Sequence, residues 1–119
     1  MGGRGMRRLL RSWRHRVAVV GHSMEPTLRA GDWLLVDPRA FRRRSAAAGD
    51  LVVATDPRQP ARWLVKRVAE VQADTALVLA GDHPAHRRDR DSMATVAESD
   101  VIGRPWLRFW PPTRLGRLS

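Results

Sequence analysis

The sequence predicts an all-β domain of short antiparallel strands with at most one short helix. Three observations predict the class. The apolar runs are short and rich in valine and leucine, as strands of a packed sheet require. Gly-Asp pairs recur at Gly31-Asp32, Gly49-Asp50 and Gly81-Asp82, each bordering such a run, where turns call for a positive φ. Pro38, Pro57, Pro60, Pro84, Pro105 and Pro111-Pro112 interrupt any longer helix.

The elements follow in order. Residues 1–16 form a basic N-terminal tail. Leu9, Leu10 and Trp13 have spacing that permits a short amphipathic helix, but a solvated flexible arm is the expectation for so short a piece. Strands are expected at Arg16–Val20, Asp32–Asp37, Leu51–Thr55, Trp63–Val71, Thr75–Ala80 and Trp106–Trp110. Arg39–Ala48 has room for one or two helical turns. Residues 17–112 are expected to form one catalytic domain and residues 113–119 a C-terminal tail.

Composition narrows the partners. There is no cysteine, which excludes disulfides, thiolate metal sites and a cysteine nucleophile. The net charge is +10, which suits nucleic acid, an anionic membrane or an acidic protein. No helix-turn-helix or zinc-finger pattern is visible, and two phenylalanines with no tyrosine leave few stacking platforms beyond the five tryptophans. No specific nucleic-acid partner is therefore expected. No apolar run approaches the roughly 20 residues of a membrane span. Arg14, His15 and Arg16 interrupt a secretory h-region. The expectation is a soluble, unprocessed, cytoplasmic protein without a membrane anchor. A peripheral contact through Trp106, Phe109 and Trp110 beside Arg104 and Arg108 stays open, although packing of one strand face into the core is preferred.

Two residues stand out chemically. Ser23 lies in Gly21-His22-Ser23-Met24-Glu25-Pro26-Thr27-Leu28, directly after a strand. A nucleophilic serine needs a fixed, accessible hydroxyl and nearby N–H donors. A turn serine bonding its own backbone is the plainer reading. Lys66 is the only lysine beside 21 arginines. On a strand it shares a face with Leu64 and Val68, so it either snorkels or is desolvated. Desolvation penalises the ammonium and yields an amine able to accept a proton. Arginine cannot take that role, because its guanidinium stays charged. Spacing alone does not bring Ser23 and Lys66 together.

The motifs, taken in order, resemble those of the type I signal peptidases. Ser23-Met24-Glu25-Pro26-Thr27-Leu28 is similar to the family's nucleophile box, and Gly31-Asp32-Trp33-Leu34-Leu35-Val36 continues it. Gly49-Asp50-Leu51-Val52-Val53, Val65-Lys66-Arg67-Val68, Gly81-Asp82-His83 and Val101-Ile102-Gly103-Arg104 resemble the later boxes. The resemblance implies a serine endopeptidase with Ser23 as nucleophile and Lys66 as general base. It implies oxyanion or substrate roles around Gly21, His22 and Met24, with the Ser23 N–H as one donor. Gly21 stands where some members carry a second donor hydroxyl. Arg67, Asp82, Asp89 and Asp91 are expected to support the pair, Asp89 or Asp91 depending on how the altered Gly-Asp-Asn region aligns. The serine that orients the family's lysine is absent in either alignment.

The resemblance is narrower to short, soluble maturation proteases of nickel-type superoxide dismutase, through Val65-Lys66-Arg67 and the ending Trp106–Pro112. It implies a precursor protein with an N-terminal leader as substrate, with nickel belonging to that substrate. No cofactor or metal is expected in this chain. His83 and His86 have ligand spacing beside Asp82 and Asp89, but neighbouring arginines would repel a cation. The alternatives are a general signal peptidase at the membrane surface and a non-catalytic basic binding module on the same fold. Self-cleavage, as in the related SOS repressors, is disfavoured, because no Ala-Gly pair precedes Ser23.

Overall fold

Leu34, Leu35 and Val36 are consecutive and all buried, which requires a strand covered on both faces. The structure, a computed structural model, describes residues 2–86 and 93–119. Among the described residues one α-helix, α1 (Gly2–Arg14), leads into eight strands. These are β1 (Arg16–Ala18), β2 (Trp33–Asp37), β3 (Leu51–Asp56), β4 (Gln59–Val71), β5 (Leu77–Ala80), β6 (Ala94–Val96), β7 (Val101–Trp110) and β8 (Gly116–Arg117). Every pairing is antiparallel, in the order β1-β2-β7-β3-β4-β5-β6, with β8 added to β7. The all-β class with a single helix is as the sequence predicts.

Two apolar clusters flank this coiled sheet. Val19, Met24, Leu28, Leu34 and Leu51 form one, and Val52, Ala54, Val68, Leu77, Leu79 and Val96 anchor the other. Leu51 and Val52 belong to different clusters, as the two-residue period of β3 dictates. Strand ends differ from the sequence-based expectation where proline had limited it. β4 starts at Gln59, because Asp56 pairs with Gln59 and an irregular stretch then accommodates Pro60. β7 starts at Val101 and takes up Pro105 beside a register shift. β6 and β8 are too short to leave a periodic signal. Arg39–Ala48 forms turns and bends rather than helix.

The expected flexible arm is instead α1. It is held by its polar side: Trp106 Nε1 donates to the fully buried Ser12 Oγ at 2.8 Å, and the Arg8 guanidinium lies 4.0 Å over the Trp106 ring. Arg8 Nε also meets Asp37 Oδ2 at 3.4 Å. Trp106 thus serves to seat the helix.

Candidate active site

Ser23 sits in the turn between β1 and β2, and three anchors fix that turn. Met24 and Leu28, four residues apart, are both buried in the cluster with Val19 and Leu34. The Leu28 N–H closes the turn on Met24 O at 2.9 Å. Arg108 Nη1 donates to Thr27 O at 3.1 Å. Gly21, at φ +79°, occupies the left-handed region just before the serine.

Lys66 comes from β4, opposite Val52 of β3. Its Nζ lies 2.7 Å from Ser23 Oγ, a hydrogen-bond distance, across 43 residues of sequence. Burial pushes the Lys66 pKa below its ordinary value, the nearby Arg62 charge lowers it further, and Asp56 opposes them more weakly. The Ser23 N–H has no hydrogen-bond acceptor among the described residues.

Arg67, next to Lys66, points to a different partner. Its Nε and Nη2 donate to Asp82 Oδ1 and Oδ2 at 2.8 and 2.9 Å, a forked pair that holds the Arg67 pKa above its ordinary value. Thr27 Oγ1 donates to the same Asp82 at 2.6 Å. Asp82 therefore ties the strand that carries Lys66 to the serine turn. Gly81 passes directly over Ser23: a Cβ there would overlap the Ser23 carbonyl oxygen, which also accepts the His83 N–H at 2.8 Å.

The other expected site residues divide. His22 is exposed and bonds Glu25 Oε1 through Nδ1 at 2.8 Å, and this bond holds the Glu25 pKa low. Met24 lines the site from its buried position. Asp89 and Asp91 lie outside the described residues. Asp32, read in the sequence only as a turn residue, is buried and accepts from Arg114 Nη1 at 2.9 and 3.1 Å and from the Arg29 N–H at 2.9 Å. Its signal was the Gly-Asp pair itself, but both arginine partners are about 80 residues distant.

Ser23 and Lys66 line a cavity of about 130 Å³ between Ala18–Val20 and Arg62–Lys66. A larger cavity, about 720 Å³, lies between α1 and Pro38–Arg42 and contains arginines but no nucleophile. The smaller one is the cavity that Ser23 and Lys66 share. Its two walls are sheet edges: β1 pairs only with β2, and β4 pairs with β5 only from Arg67 onward. Among the described residues, the edges facing the cavity therefore have no ladder partner.

The family described as signal peptidase, peptidase S26 matches residues 9–76, more than half of the chain, including both Ser23 and Lys66. The chain belongs to the signal peptidase family. Among similar proteins, the mitochondrial inner membrane protease subunit 1 of Xenopus tropicalis is 32% identical over 118 residues, covering 83% of this chain and 71% of that protein. The mitochondrial ATP-independent inner membrane protease subunit 1a of Arabidopsis thaliana is 30% identical over 122 residues, covering 84% and 73%. Subunit 2 of the mitochondrial inner membrane protease of Danio rerio is 27% identical over 122 residues, covering 85% and 67%. This signal peptidase-like chain is accordingly a peptidase whose family acts on precursor proteins. The expectation of a cytoplasmic protein is corrected by the same finding, since these relatives are subunits of membrane proteases. No helix among the described residues is long and apolar enough to cross a membrane.

Proposed function

We propose that the chain is a serine endopeptidase that removes an N-terminal leader from a precursor protein with a Ser23/Lys66 dyad. The 2.7 Å contact between Lys66 Nζ and Ser23 Oγ carries this reading. A neutral Lys66 amine accepts the hydroxyl proton as Ser23 Oγ attacks the scissile carbonyl. The same proton then passes to the leaving amine. The Ser23 N–H, without an acceptor among the described residues, is the donor for the developing oxyanion, and Gly21 adds no side-chain hydroxyl to it. Arg67, Asp82 and Thr27 hold the two halves of the dyad in register.

The free edges at Ala18–Val20 and Arg62–Lys66 favour a substrate bound as an added strand. The small cavity favours small side chains next to the scissile bond. For the precursor, the resemblance through Val65-Lys66-Arg67 and Trp106–Pro112 favours nickel superoxide dismutase. A second reading, general leader processing at a membrane surface, is favoured by the inner-membrane protease relatives.

The test is cleavage of purified precursors, with products read by mass spectrometry beside Ser23→Ala and Lys66→Arg. A single leader cut in the dismutase precursor, lost in both variants, is the expected result. A dyad-dependent cut only in a secretory precursor selects the second reading. No cut in either precursor, or cleavage unchanged in the variants, overturns the dyad.

A further inference from the structure

Arg7, Arg11 and Arg14 recur at i, i+4 and i+7, so they share one face of α1. Across from that face lie Arg39 and Arg42, in the turns that follow β2. These five arginines and His15 line the cavity of about 720 Å³. Among the described residues no acidic side chain lines it, and none of the five guanidinium groups has a carboxylate partner or a hydrogen bond. The Arg11 Nε is enclosed without an acceptor, where a buried donor normally has one. Like charges converge here at a cost that a bound anion removes.

This cavity adjoins the one that Ser23 and Lys66 share. His15, directly before β1, stacks at 6.5 Å on Trp63 of β4, and Trp63 lines the smaller cavity. The His15–Trp63 stack thus stands between the two. An extended peptide on the β1 edge advances about 3.3 Å per residue, so about three residues carry it from Ala18 to His15. Its next residues pass over the arginines. Arg62, in the wall of the smaller cavity and without a carboxylate partner among the described residues, carries the same charge along that path.

We propose that the arginine cavity between α1 and Pro38–Arg42 is a subsite for an acidic segment of the precursor, a proposal that rests on the peptidase reading above. Glutamate and aspartate side chains meet guanidinium forks there, with forked charge-assisted bonds available to each carboxylate. The strand edges supply main-chain pairing near the cut, and the arginines select which precursor is held. A nucleic acid is the poorer occupant. The one ring in the cavity wall, His15, is already stacked on Trp63, so no free aromatic face is offered to a base. The acidic segment stands about three or more residues from the part of the substrate beside Ala18, so it selects the precursor without touching the scissile bond.

The experiment measures binding by fluorescence anisotropy on the full chain carrying Ser23→Ala, which keeps the probe intact. The probes are labelled Ala/Ser/Thr peptides with a run of glutamates at one end or the other, beside twins with glutamines in the same places. One glutamate peptide is expected to bind about tenfold more tightly than its twin, and salt should erase the difference. Arg39→Gln/Arg42→Gln should reduce that preference several-fold. Arg43→Gln/Arg117→Gln removes equal charge from exposed positions outside the cavity and should leave it. Circular dichroism checks that each variant folds as the unaltered chain does. Three results would overturn the proposal: equal affinity for glutamate and glutamine peptides, equal loss in both double variants, or an RNA oligonucleotide or tripolyphosphate that depends on Arg39 and Arg42 and binds more tightly than either glutamate peptide. Failure of the peptidase reading looks different: no Ser23-dependent cleavage of any precursor, with the glutamate preference in binding decided separately.

Discussion

Gly81 crosses the backbone of Ser23 so closely that no side chain fits between them, and two residues later the His83 N–H clasps the same Ser23 carbonyl. The contact is backbone against backbone, so a rotamer change cannot relieve it. Gly81→Ala is expected to destabilise the protein by about 1–3 kcal/mol and to displace the serine turn. Thermal unfolding and peptide cleavage measured together check this. A variant with unchanged stability and unchanged activity would show that the turn yields freely.

The pH dependence of cleavage has a definite sign. In the proposed dyad the active form of Lys66 is the neutral amine, so kcat/KM should rise with pH through the Lys66 pKa, which burial holds below the ordinary 10.5. Two neighbours move that limb in opposite directions. Arg62→Gln removes a like charge and should shift it to higher pH. Asp56→Asn removes an opposing carboxylate and should shift it to lower pH. Profiles of both variants that move the same way would exclude Lys66 as the group reported.

Much of the fold was legible because β3 and β2 carry unbroken apolar runs between Gly-Asp turns. α1 was not, because its seat is a hydrogen bond and a cation–π contact to Trp106, which no hydrophobic period announces. β6 and β8 are held by neighbouring strands rather than by their own pattern. Within the site, Ser23 and Lys66 each carried a chemical signal, but their meeting depends on β3–β4 register and the turn after β1. Only the family resemblance bridged that distance. The Asp82 staple lay beyond spacing arguments for the same reason, since its partners Thr27 and Arg67 sit 55 and 15 residues away.

His22 adjoins Ser23 and invites confusion with its base. Its ring instead bonds Glu25 and is exposed. His22→Ala is expected to leave the rising limb of the pH profile in place. Loss of that limb in the variant would transfer the proposed base role from Lys66 to His22.

The Arg67–Asp82 fork depends on geometry as well as charge. Arg67→Lys keeps the charge but loses the two parallel bonds, and is expected to cost about 1–2 kcal/mol. Because Arg67 is not among the groups that shift Lys66, the pH profile should keep its position while the rate falls. Equal stability of Arg67→Lys and the unaltered chain would mean the fork contributes only charge.

Asp32 tests whether the C-terminal segment is part of the scaffold. Its carboxylate is buried and is met by Arg114 at 2.9 Å and Arg108 at 3.4 Å, while Arg108 also reaches Thr27 O in the serine turn. Asp32→Ala would leave two largely enclosed guanidinium groups without their counter-charge, at an expected cost of about 3–5 kcal/mol. Arg114→Ala should cost less, because Arg108 and the Arg29 N–H remain on the carboxylate. A double-mutant cycle of Asp32→Ala and Arg114→Ala in chemical denaturation separates the pair from its surroundings. A coupling near zero would mean that the two residues act independently. A large coupling would tie residues 112–114 to the turn that carries Ser23, so that loosening the C-terminal end lowers cleavage without touching the site itself.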